Sequence, residues 1–465
     1  MRGHFEDHVA ISGIGLSDVG RRLQRDPWAL TAQAALRAIA DAGLSPDDID
    51  GVSTYPGGAY PSPGLSGAGL WDVRRMLGLD LRWLSGGSEV AGQIGSVINA
   101  AVAVSSGIVD HVLCFRSVWE STHQMDMGRA AAVMGQRRSV DDDAARVQGD
   151  REFTVPFGVG HACHGGLLAQ RYFYEHGATR EQLAQIALVA RENAARNPDA
   201  VYREPLTMDD YLGARMISEP LCLYDCDPPV DGSVAVVVSR REAAPDTGHP
   251  PILLEAVGST PGIDAAGSML WARSPRLTPG DVDIAEVYDG WSILSLLWLE
   301  SLGLCGRGEA AKFIEGGSRI ARDGELPVNT GGGQLSAGRL HGYIQLYEAC
   351  LQLRGGAGDH QVSRSPKWRS CRPGPVISPG ACWCRRAERA QRLRPVSATR
   401  FRSRAHPRSE RRRRRRSARR RSACRASTAP RRHRPRRREH RFGRAGPGWS
   451  GSHRPLRSWL CSSRS

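Results

Sequence analysis

Two short runs in the second half of the chain carry side chains that can transfer protons. Tyr288 lies in the run EVYDGWS, and Tyr343 ends the run NTGGGQLSAGRLHGY. A tyrosine hydroxyl has an ordinary pKa of about 10, so it acts as a base only beside a cation or a network of donors. Arg339 and His341, in the second run, are candidates for that supporting role. A structural role is the alternative, since either tyrosine also suits packing at a strand end or a helix start.

The glycine run Gly331–Gly333 is a second candidate feature. No Lys-Ser or Lys-Thr follows it, so it is a weak phosphate loop. The backbone amides around Gly331, Gly332 and Gly333 can instead donate to a substrate oxygen that gains negative charge, as an oxyanion hole does. By contrast, His161, Cys163 and His164 have no second Cys/His pair at zinc spacing, so no metal site is expected.

The charge of the chain changes sign near Val362. Residues 363–465 hold 34 Lys and Arg against 3 Glu and no Asp, which leaves 30 basic and 45 acidic residues in 1–362. The acidic body is long enough for one large domain or two fused halves. It begins without the apolar segment of a secretory signal, and its cysteines have no framework spacing, so a cytoplasmic location is expected.

The basic tail, residues 363–465, has one Lys and no hydrophobic period. Such a composition arises when a GC-rich gene is translated out of frame. Back-translation of residues 363–384 with permitted codons, shifted by two bases, gives PEPEVAVVSTGAGHFAGCLLV, two β-like runs around a glycine-rich turn. We predict a frameshift near Val362, a disordered tail, and no nucleic-acid binding despite the arginine runs.

The body has the pattern of an α/β protein. A short buried strand is predicted at His8–Gly15 and a helix at Ala29–Gly43, which ends at a glycine. Further elements are predicted as a central apolar helix at Val90–Ser105, a strand at His111–Phe115, helices at 162–176 and 180–196, and strands at Ser233–Ser239 and Pro251–Val257. The order of these elements favours a sheet covered by helices.

An internal repeat divides the body. The run LSPDDID, at 44–50, matches LTPGDVD, at 277–283, and Ser106–His111 resembles Gly355–His360. A strand follows the first copy of the second motif but not the other, so the second half is predicted to lack its last strands. We therefore expect the chain as written to be unstable or inactive.

These features resemble the thiolase superfamily. The similarity rests on SGGSEVAGQIGS (85–96), PVDGSVAVVVS (229–239), EVYDGWS (286–292) and the glycine-rich run at 329–343. It is strongest to the sterol-carrier-type (lipid-transfer-protein) group and, within it, to the aldolases of bacterial steroid side-chain degradation. The resemblance implies two fused halves in a layered αβαβα arrangement. The predicted parts are residues 1–245, with a loop region at about 118–228, then 246–362, and the tail.

The resemblance also indicates which chemistry is present. Thiolases use a cysteine at the first central helix, but no Cys lies between residues 83 and 95, and Ser88 there suits a helix cap. Arg339 occupies the family's histidine position, and Tyr288 and Tyr343 match the tyrosine pair implicated in the aldolases. The implied reaction is retro-aldol cleavage of a β-hydroxyacyl-CoA. A sterol-carrier-type acyltransferase and a non-catalytic lipid or acyl-CoA carrier remain as alternatives.

The same resemblance implies the partners. Coenzyme A is expected only as part of the acyl-CoA substrate, and no bound cofactor is expected. The acyl group of that substrate is expected to resemble a steroid side chain. A homodimer and a separate OB-fold/zinc-ribbon protein are implied, and no membrane span is predicted, since the most apolar stretch is broken by Ser105 to Gly107 and Asp110.

Overall fold

The computed structural model describes most of the body and two short pieces of the tail. The described residues are 4–57, 63–87, 94–133, 161–245, 247, 249–260, 262–274, 277–363, 376–378 and 382–386. The strands are β1 Val9–Leu16, β2 Gly51–Thr54, β3 Trp83–Gly86, β4 His111–Trp119, β5 Met216–Ser218, β6 Leu221–Cys222, β7 Asp231–Arg240, β8 Ile252–Val257, β9 Ile284–Ala285, β10 Val376–Ser378 and β11 Cys382–Arg386.

The helices connect and cover these strands. They are α1 Pro27–Asp41, α2 Leu70–Leu77, α3 Gly95–Ser105, α4 Glu120–Val133, α5 His161–His176, α6 Arg180–Ala194, α7 Met208–Leu212, α8 Ile263–Arg273, α9 Ser292–Ser301, α10 Ala310–Phe313, α11 Gly333–Ala337 and α12 Tyr343–Arg354. Among the described residues, no helix is both long and apolar enough to cross a membrane.

A nine-stranded sheet runs in the order β3-β2-β4-β7-β1-β8-β11-β10-β9. Counted outward from the β1–β8 junction, the strands follow the same order in both halves, so that β8, β11, β10 and β9 correspond to β1, β7, β4 and β2. Val328, which forms a parallel bridge with Ala285 of β9, takes the place that β3 has in the first half. β7 is antiparallel to β1 and β4, and β11 is antiparallel to β8 and β10. The two halves therefore share one topology, which confirms the predicted pseudo-repeat.

The repeat extends to the local hydrogen bonds. The Asp48 carboxylate accepts from the backbone N–H of Ser45 at 2.8 Å and from its hydroxyl at 2.7 Å. Asp281 accepts from Thr278 at the same two distances. Each aspartate thus closes a short turn after Pro46 or Pro279, just before a strand of its half.

Apolar side chains separate the molecule into layers. In β7, Val234, Val236 and Val238 join the central core, whereas Ala235 and Val237 join the outer core with α1 and α2, as expected of a strand buried on both faces. α3 and α12 contribute to the central core, which also includes residues of β8. α6, α8 and α9 form a third core with Ala256 and Ala285 of the second half. This is the predicted αβαβα arrangement.

Most predicted elements of the body are present with small shifts of boundary. α1 begins earlier than predicted because Asp26 caps it, accepting from the Trp28 N–H at 2.9 Å, and Pro27 suits its first turn. The first part of the helix predicted at Val90–Ser105 lies outside the described residues, and α3 begins at Gly95. Between the adjacent strands β4 and β7 the chain inserts α4 to α7 and the β5–β6 hairpin.

The tail differs from expectation in one respect. The second half does not lack its last strands, since β11 pairs with β8, and β10 pairs in parallel with β9. Unpaired edges of β8 and β9 would leave backbone donors and acceptors without partners, so a short segment able to form strands is stabilised there. The frameshift near Val362 and the domain boundaries stay predictions.

Two truncated chains test whether these strands stabilise the body. A chain ending at Arg394 retains β10 and β11, whereas a chain ending at Val362 loses both. We expect the shorter chain to unfold at a lower temperature, because each ladder hydrogen bond contributes about 0.5–1.5 kcal/mol. Thermal unfolding followed by circular dichroism measures the difference, with the full-length chain as control. Equal midpoints for the two truncated chains would show that β10 and β11 add nothing.

Candidate active site

Tyr343 begins α12 and is completely buried. Its hydroxyl lies 2.5 Å from the hydroxyl of Ser96, the second residue of α3, so the contact links the central helices of the two halves. Gly342 has a φ of 77°, which lets the chain turn sharply into α12. Burial raises the pKa of Tyr343 well above its ordinary value, while the Ser96 hydrogen bond and the Arg116 charge act in the opposite direction.

Tyr288 follows the short strand β9. A Cβ atom at Gly290 would lie 2.8 Å from the Tyr288 ring, so the glycine leaves room for the aromatic side chain. Burial, followed by the negative charge of Asp227, raises the pKa of Tyr288, and the Gln334 side chain and the Arg339 charge act to lower it. Tyr343 is buried and Tyr288 is half-buried, and the environment of each favours its protonated form.

The glycine run is held by a buried carboxylate. Gly333 has a φ of 57°, and a Cβ there would lie 2.0 Å from an Asp289 carboxylate oxygen. Asp289 accepts from the Gln334 N–H at 2.8 Å and thereby caps α11, and burial raises its pKa to about 7. The Gly332 N–H donates to the Asn329 carbonyl at 2.9 Å. That amide is already used inside the turn, so the predicted role of Gly332 as a free donor needs revision.

A side-chain donor lies in the same turn. Gln334 is fully buried, and its Oε1 accepts from the His341 N–H at 2.8 Å. Its Nε2 makes no hydrogen bond of good geometry to the described residues, although the Gln334 side chain lies close enough to the Tyr288 hydroxyl to lower the pKa of that tyrosine. Because an unpaired buried amide is costly, this group is suited to donate to a bound substrate.

Arg339 is engaged by two carboxylates. Its Nε donates to Asp227 at 2.7 Å and its Nη1 to Glu120 at 2.8 Å. Burial opposes the charge of Arg339, but the two carboxylates together raise its pKa, and burial raises the pKa of Asp227 to about 6. Arg339 thus joins Glu120 of α4 to the second half and lies near Tyr288 as a fixed positive charge.

Arg116, on β4, is a site residue that the sequence did not single out. It is 2% exposed, and its Nη2 lies 2.9 Å from Nδ1 of His341. Burial lowers the pKa of Arg116 to about 10, and the neighbouring hydroxyls of Tyr55, Tyr288 and Tyr343 are among the groups that raise it. The signal in the sequence was a charged residue in the middle of the apolar run HVLCFRSVW.

The cysteines near these residues are poor nucleophiles. Cys114, on β4, is fully buried, and burial raises the pKa of its thiol. Burial also raises the pKa of Cys226 to about 12. Nucleophilic attack needs the thiolate, which both environments disfavour.

Several other candidates lie partly outside the described residues. Ser88 and residues 151–160 of the predicted loop region at about 118–228 are among those not described. The following helix, α5, packs against the site, since a Cβ at Gly165 would lie 2.6 Å from the Trp291 ring. In the described part of the chain, no group of three or more His, Cys, Asp and Glu is arranged to hold a metal ion.

Two buried glutamates, Glu286 and Glu348, contact the glycine-rich turn at Thr330. The Thr330 hydroxyl lies 2.7 Å from Oε1 of Glu286 and 2.7 Å from Oε1 of Glu348. One hydroxyl proton cannot serve both, so one of the two acids must be protonated and donate back. Because Glu348 also contacts Nε2 of His360 at 3.1 Å, we place the proton on Glu286. Burial and the Glu348 charge raise the Glu286 pKa well above its ordinary value.

This arrangement predicts a pH-dependent stability. The folded-state pKa of Glu286 lies above its unfolded value, so its contribution is complete at low pH and is lost as pH rises through the raised pKa. In Glu286→Gln that loss disappears, and we expect the variant to gain stability relative to the wild type as pH increases. Urea unfolding at several pH values measures this. A difference in unfolding free energy that does not change with pH would contradict it.

The chain is similar to known proteins over most of its body. Residues 260–367 match the family of thiolase C-terminal domain-like proteins. The chain is 36% identical over 374 residues to the steroid side-chain-cleaving aldolase of Thermomonospora curvata, covering 75% of this chain and 90% of that protein. It is 34% identical over 369 residues to the 17-hydroxy-3-oxo-4-pregnene-20-carboxyl-CoA lyase of Mycobacterium tuberculosis, covering 75% and 92%.

A solved structure gives the same result. The Ltp2-ChsH2(DUF35) aldolase superposes with a TM-score of 0.68 at 33% identity, covering 82% of this chain and 98% of that chain. The similarity spans nearly the full length of these proteins and agrees with the layered fold and the duplicated strand order. The chain is therefore an enzyme of the thiolase superfamily and belongs to its group of steroid side-chain-cleaving aldolases.

Proposed function

We propose that this chain cleaves a β-hydroxyacyl-CoA thioester with a steroid-like acyl group by a retro-aldol reaction. The observation that carries the proposal is that the half-buried Tyr288 and the buried Tyr343 both lie near the buried cation Arg116, which would stabilise the anion of either tyrosine. The names of the two relatives supply the substrate class. In 17-hydroxy-3-oxo-4-pregnene-20-carboxyl-CoA the hydroxyl is on the carbon β to the thioester, as a retro-aldol cleavage requires.

The reaction needs two proton transfers. One group removes the proton from the β-hydroxyl as the Cα–Cβ bond breaks, which releases a ketone and leaves the bonding electrons in a thioester enolate. A second group protonates Cα of the enolate, which gives the shortened acyl-CoA. Tyr288 and Tyr343 are proposed as the two proton carriers, with neither assigned as base or acid. Arg116 and Arg339 favour a transient tyrosinate, because a nearby positive charge lowers a tyrosine pKa.

The thioester oxygen gains negative charge during bond cleavage and needs donors. The buried Nε2 of Gln334 and the ring of His341 are the side chains best suited to this, with the backbone around Gly331 and Gly333 as further candidates. Arg339 acts from behind Tyr288 as a positioning charge. No covalent enzyme intermediate is needed, so coenzyme A enters only as part of the substrate.

The two alternatives make different demands on the same site. An acyltransferase of the sterol-carrier type would require a thiolate, whereas the pKa of Cys114 and that of Cys226 are raised by burial. A non-catalytic lipid or acyl-CoA carrier would have no need of a buried cation beside two tyrosine hydroxyls, which is costly to maintain.

Two protein partners are part of the proposal. A homodimer is supported by the outer edge of β3, which no described strand covers and where Leu84 is 40% exposed. A separate protein partner is supported by the name of the Ltp2-ChsH2(DUF35) aldolase, which includes a second component. The exposed backbone of β3 would then pair across the dimer, leaving other faces for the second protein.

Removal of either tyrosine hydroxyl tests the proposed reaction. We expect Tyr288→Phe and Tyr343→Phe to lower kcat by about 10²–10⁴, with a smaller effect on KM, because each hydroxyl acts in proton transfer. Cleavage of 17-hydroxy-3-oxo-4-pregnene-20-carboxyl-CoA, followed by release of the ketone, is the measurement. Tyr172→Phe is the matched control, since Tyr172 is buried but its hydroxyl contacts Glu300 on α9 rather than a residue of the site.

The outcomes separate the alternatives. Unchanged cleavage in both phenylalanine variants would contradict the mechanism in which the two tyrosines carry the protons. Binding of the thioester by the wild type without turnover would favour a carrier, and acyl transfer that a thiol-alkylating reagent abolishes would favour the acyltransferase. The control is expected to keep the wild-type rate to within about twofold, since loss of a distant hydrogen bond affects stability more than proton transfer.

A further inference from the structure

The acceptors that contact the buried guanidinium of Arg116 all lack charge, and its Nε has no hydrogen-bond partner in the described part of the chain. Its Nη1 donates to the carbonyl oxygens of Tyr55 at 3.0 Å, Leu65 at 2.5 Å and Ser117 at 3.3 Å. Its Nη2 contacts His341 Nδ1, and in the part of the chain that the structure describes no ion pair joins Arg116 to a carboxylate. A buried arginine without a carboxylate partner is unusual and calls for a functional reason.

The contact with His341 fixes the protonation of that ring. A guanidinium has only donors, so Nδ1 of His341 must accept and cannot carry a proton. The neutral ring then carries its proton on Nε2, on the other side of the ring from Arg116. The backbone of His341 is held as well, with a φ of 49° and its N–H bonded to Gln334 Oε1.

The surroundings act in the same direction. Burial, and then the charges of Arg116 and Arg339, lower the pKa of His341 well below its ordinary value. The titratable and charged groups that face this pair come from both halves. They are Tyr55 after β2, Glu120 on α4, Tyr288 after β9, Tyr343 on α12, and Arg339 with its partner Asp227.

We propose that Arg116 is a positioning residue that keeps His341 neutral with its proton on Nε2, so that His341 is a fixed hydrogen-bond donor to the thioester oxygen of the substrate. The inference rests on the proposed retro-aldol function. A neutral imidazole donates a hydrogen bond to the enolate without giving up its proton. An imidazolium would be acidic enough to protonate the tyrosinate that acts as base, and so would stop the first step.

The first test needs no substrate. Long-range ¹H–¹⁵N spectra of the wild-type protein report the protonation of each histidine nitrogen, and His341→Asn identifies the His341 signal by its loss. Asn suits this position because it tolerates a positive φ. We expect Nδ1 of His341 to stay unprotonated over the whole pH range in which the protein is folded. A proton on Nδ1, or a fully protonated ring at pH 6, would overturn the proposal.

The second test measures kcat against pH, with 17-hydroxy-3-oxo-4-pregnene-20-carboxyl-CoA as substrate. In Arg116→Met the cation is gone, so His341 should titrate, and we expect kcat to fall about tenfold per pH unit below a new histidine pKa. This acid limb should be absent from the wild type and from the double variant Arg116→Met/His341→Asn. Arg191→Met, which removes another buried arginine, is the control and should keep the wild-type profile.

The two tests distinguish the failure of this inference from the failure of the proposed function. A wild type that does not cleave the thioester defeats the retro-aldol function, and the spectra still decide the state of His341. Given cleavage, an Arg116→Met profile with the wild-type shape, or an acid limb that persists in the double variant, would overturn the role of Arg116. Should Arg116→Met fail to fold, the wild-type spectra alone can still contradict the proposal.

Discussion

The contact between the hydroxyls of Ser96 and Tyr343 joins the two halves at the site, and the rest of the site depends on that alignment. Ser96 lies at the start of α3 and Tyr343 at the start of α12, so the two central helices begin at the same place. Arg116 reaches this place from β4 and His341 from the turn before α12. Neither half contains the whole set, so the chemistry exists only where the duplicated units meet.

This arrangement places two arginines, Arg116 and Arg339, largely away from solvent, and their charges are compensated in different ways. Arg339 is paired with Glu120 and Asp227 at hydrogen-bond distance, which is the ordinary solution for a buried cation. Arg116 has carbonyl oxygens and an imidazole instead. In the described part of the chain no carboxylate forms an ion pair with it, although the Glu120 charge acts on it beyond ion-pair distance, so its charge remains available to the neighbouring hydroxyls. The difference separates a cation that holds the halves together from one that acts on the tyrosines.

The glycine-rich turn shows the same division between support and chemistry. Asp289 and Glu286 are both buried and both bind backbone N–H groups of the turn, Gln334 in one case and Thr330 in the other. Glycine is needed at 333 because any Cβ would collide with Asp289. The turn's shape is thus fixed by carboxylates below it. In the proposed reaction, the group that the turn offers to a substrate is the side chain of Gln334 rather than a row of free amides.

The sequence by itself determined the fold class and the duplication, and it singled out the two tyrosines on which the proposed function rests. The signals for these features are local in sequence and can be recognised without a structure. They are the strand and helix periodicities, the repeated turn at Asp48 and Asp281, and the motifs around Tyr288 and Tyr343. The sequence did not show the two strands in the tail, because the charge of that region hid the short apolar runs that pair with β8 and β9. The domain boundary near Val362 still depends on composition alone.

Only the tertiary structure decided which residues surround the tyrosines. Arg116 lies 225 positions before His341, and nothing in the spacing of either residue indicates a contact between them. The engaged amide of Gly332 and the unpaired amide of Gln334 are likewise results of packing. Chain order specifies the elements and their apolar faces. The protonation state and charge of a site depend on distances between residues far apart in sequence, which are set only when the two halves pack together.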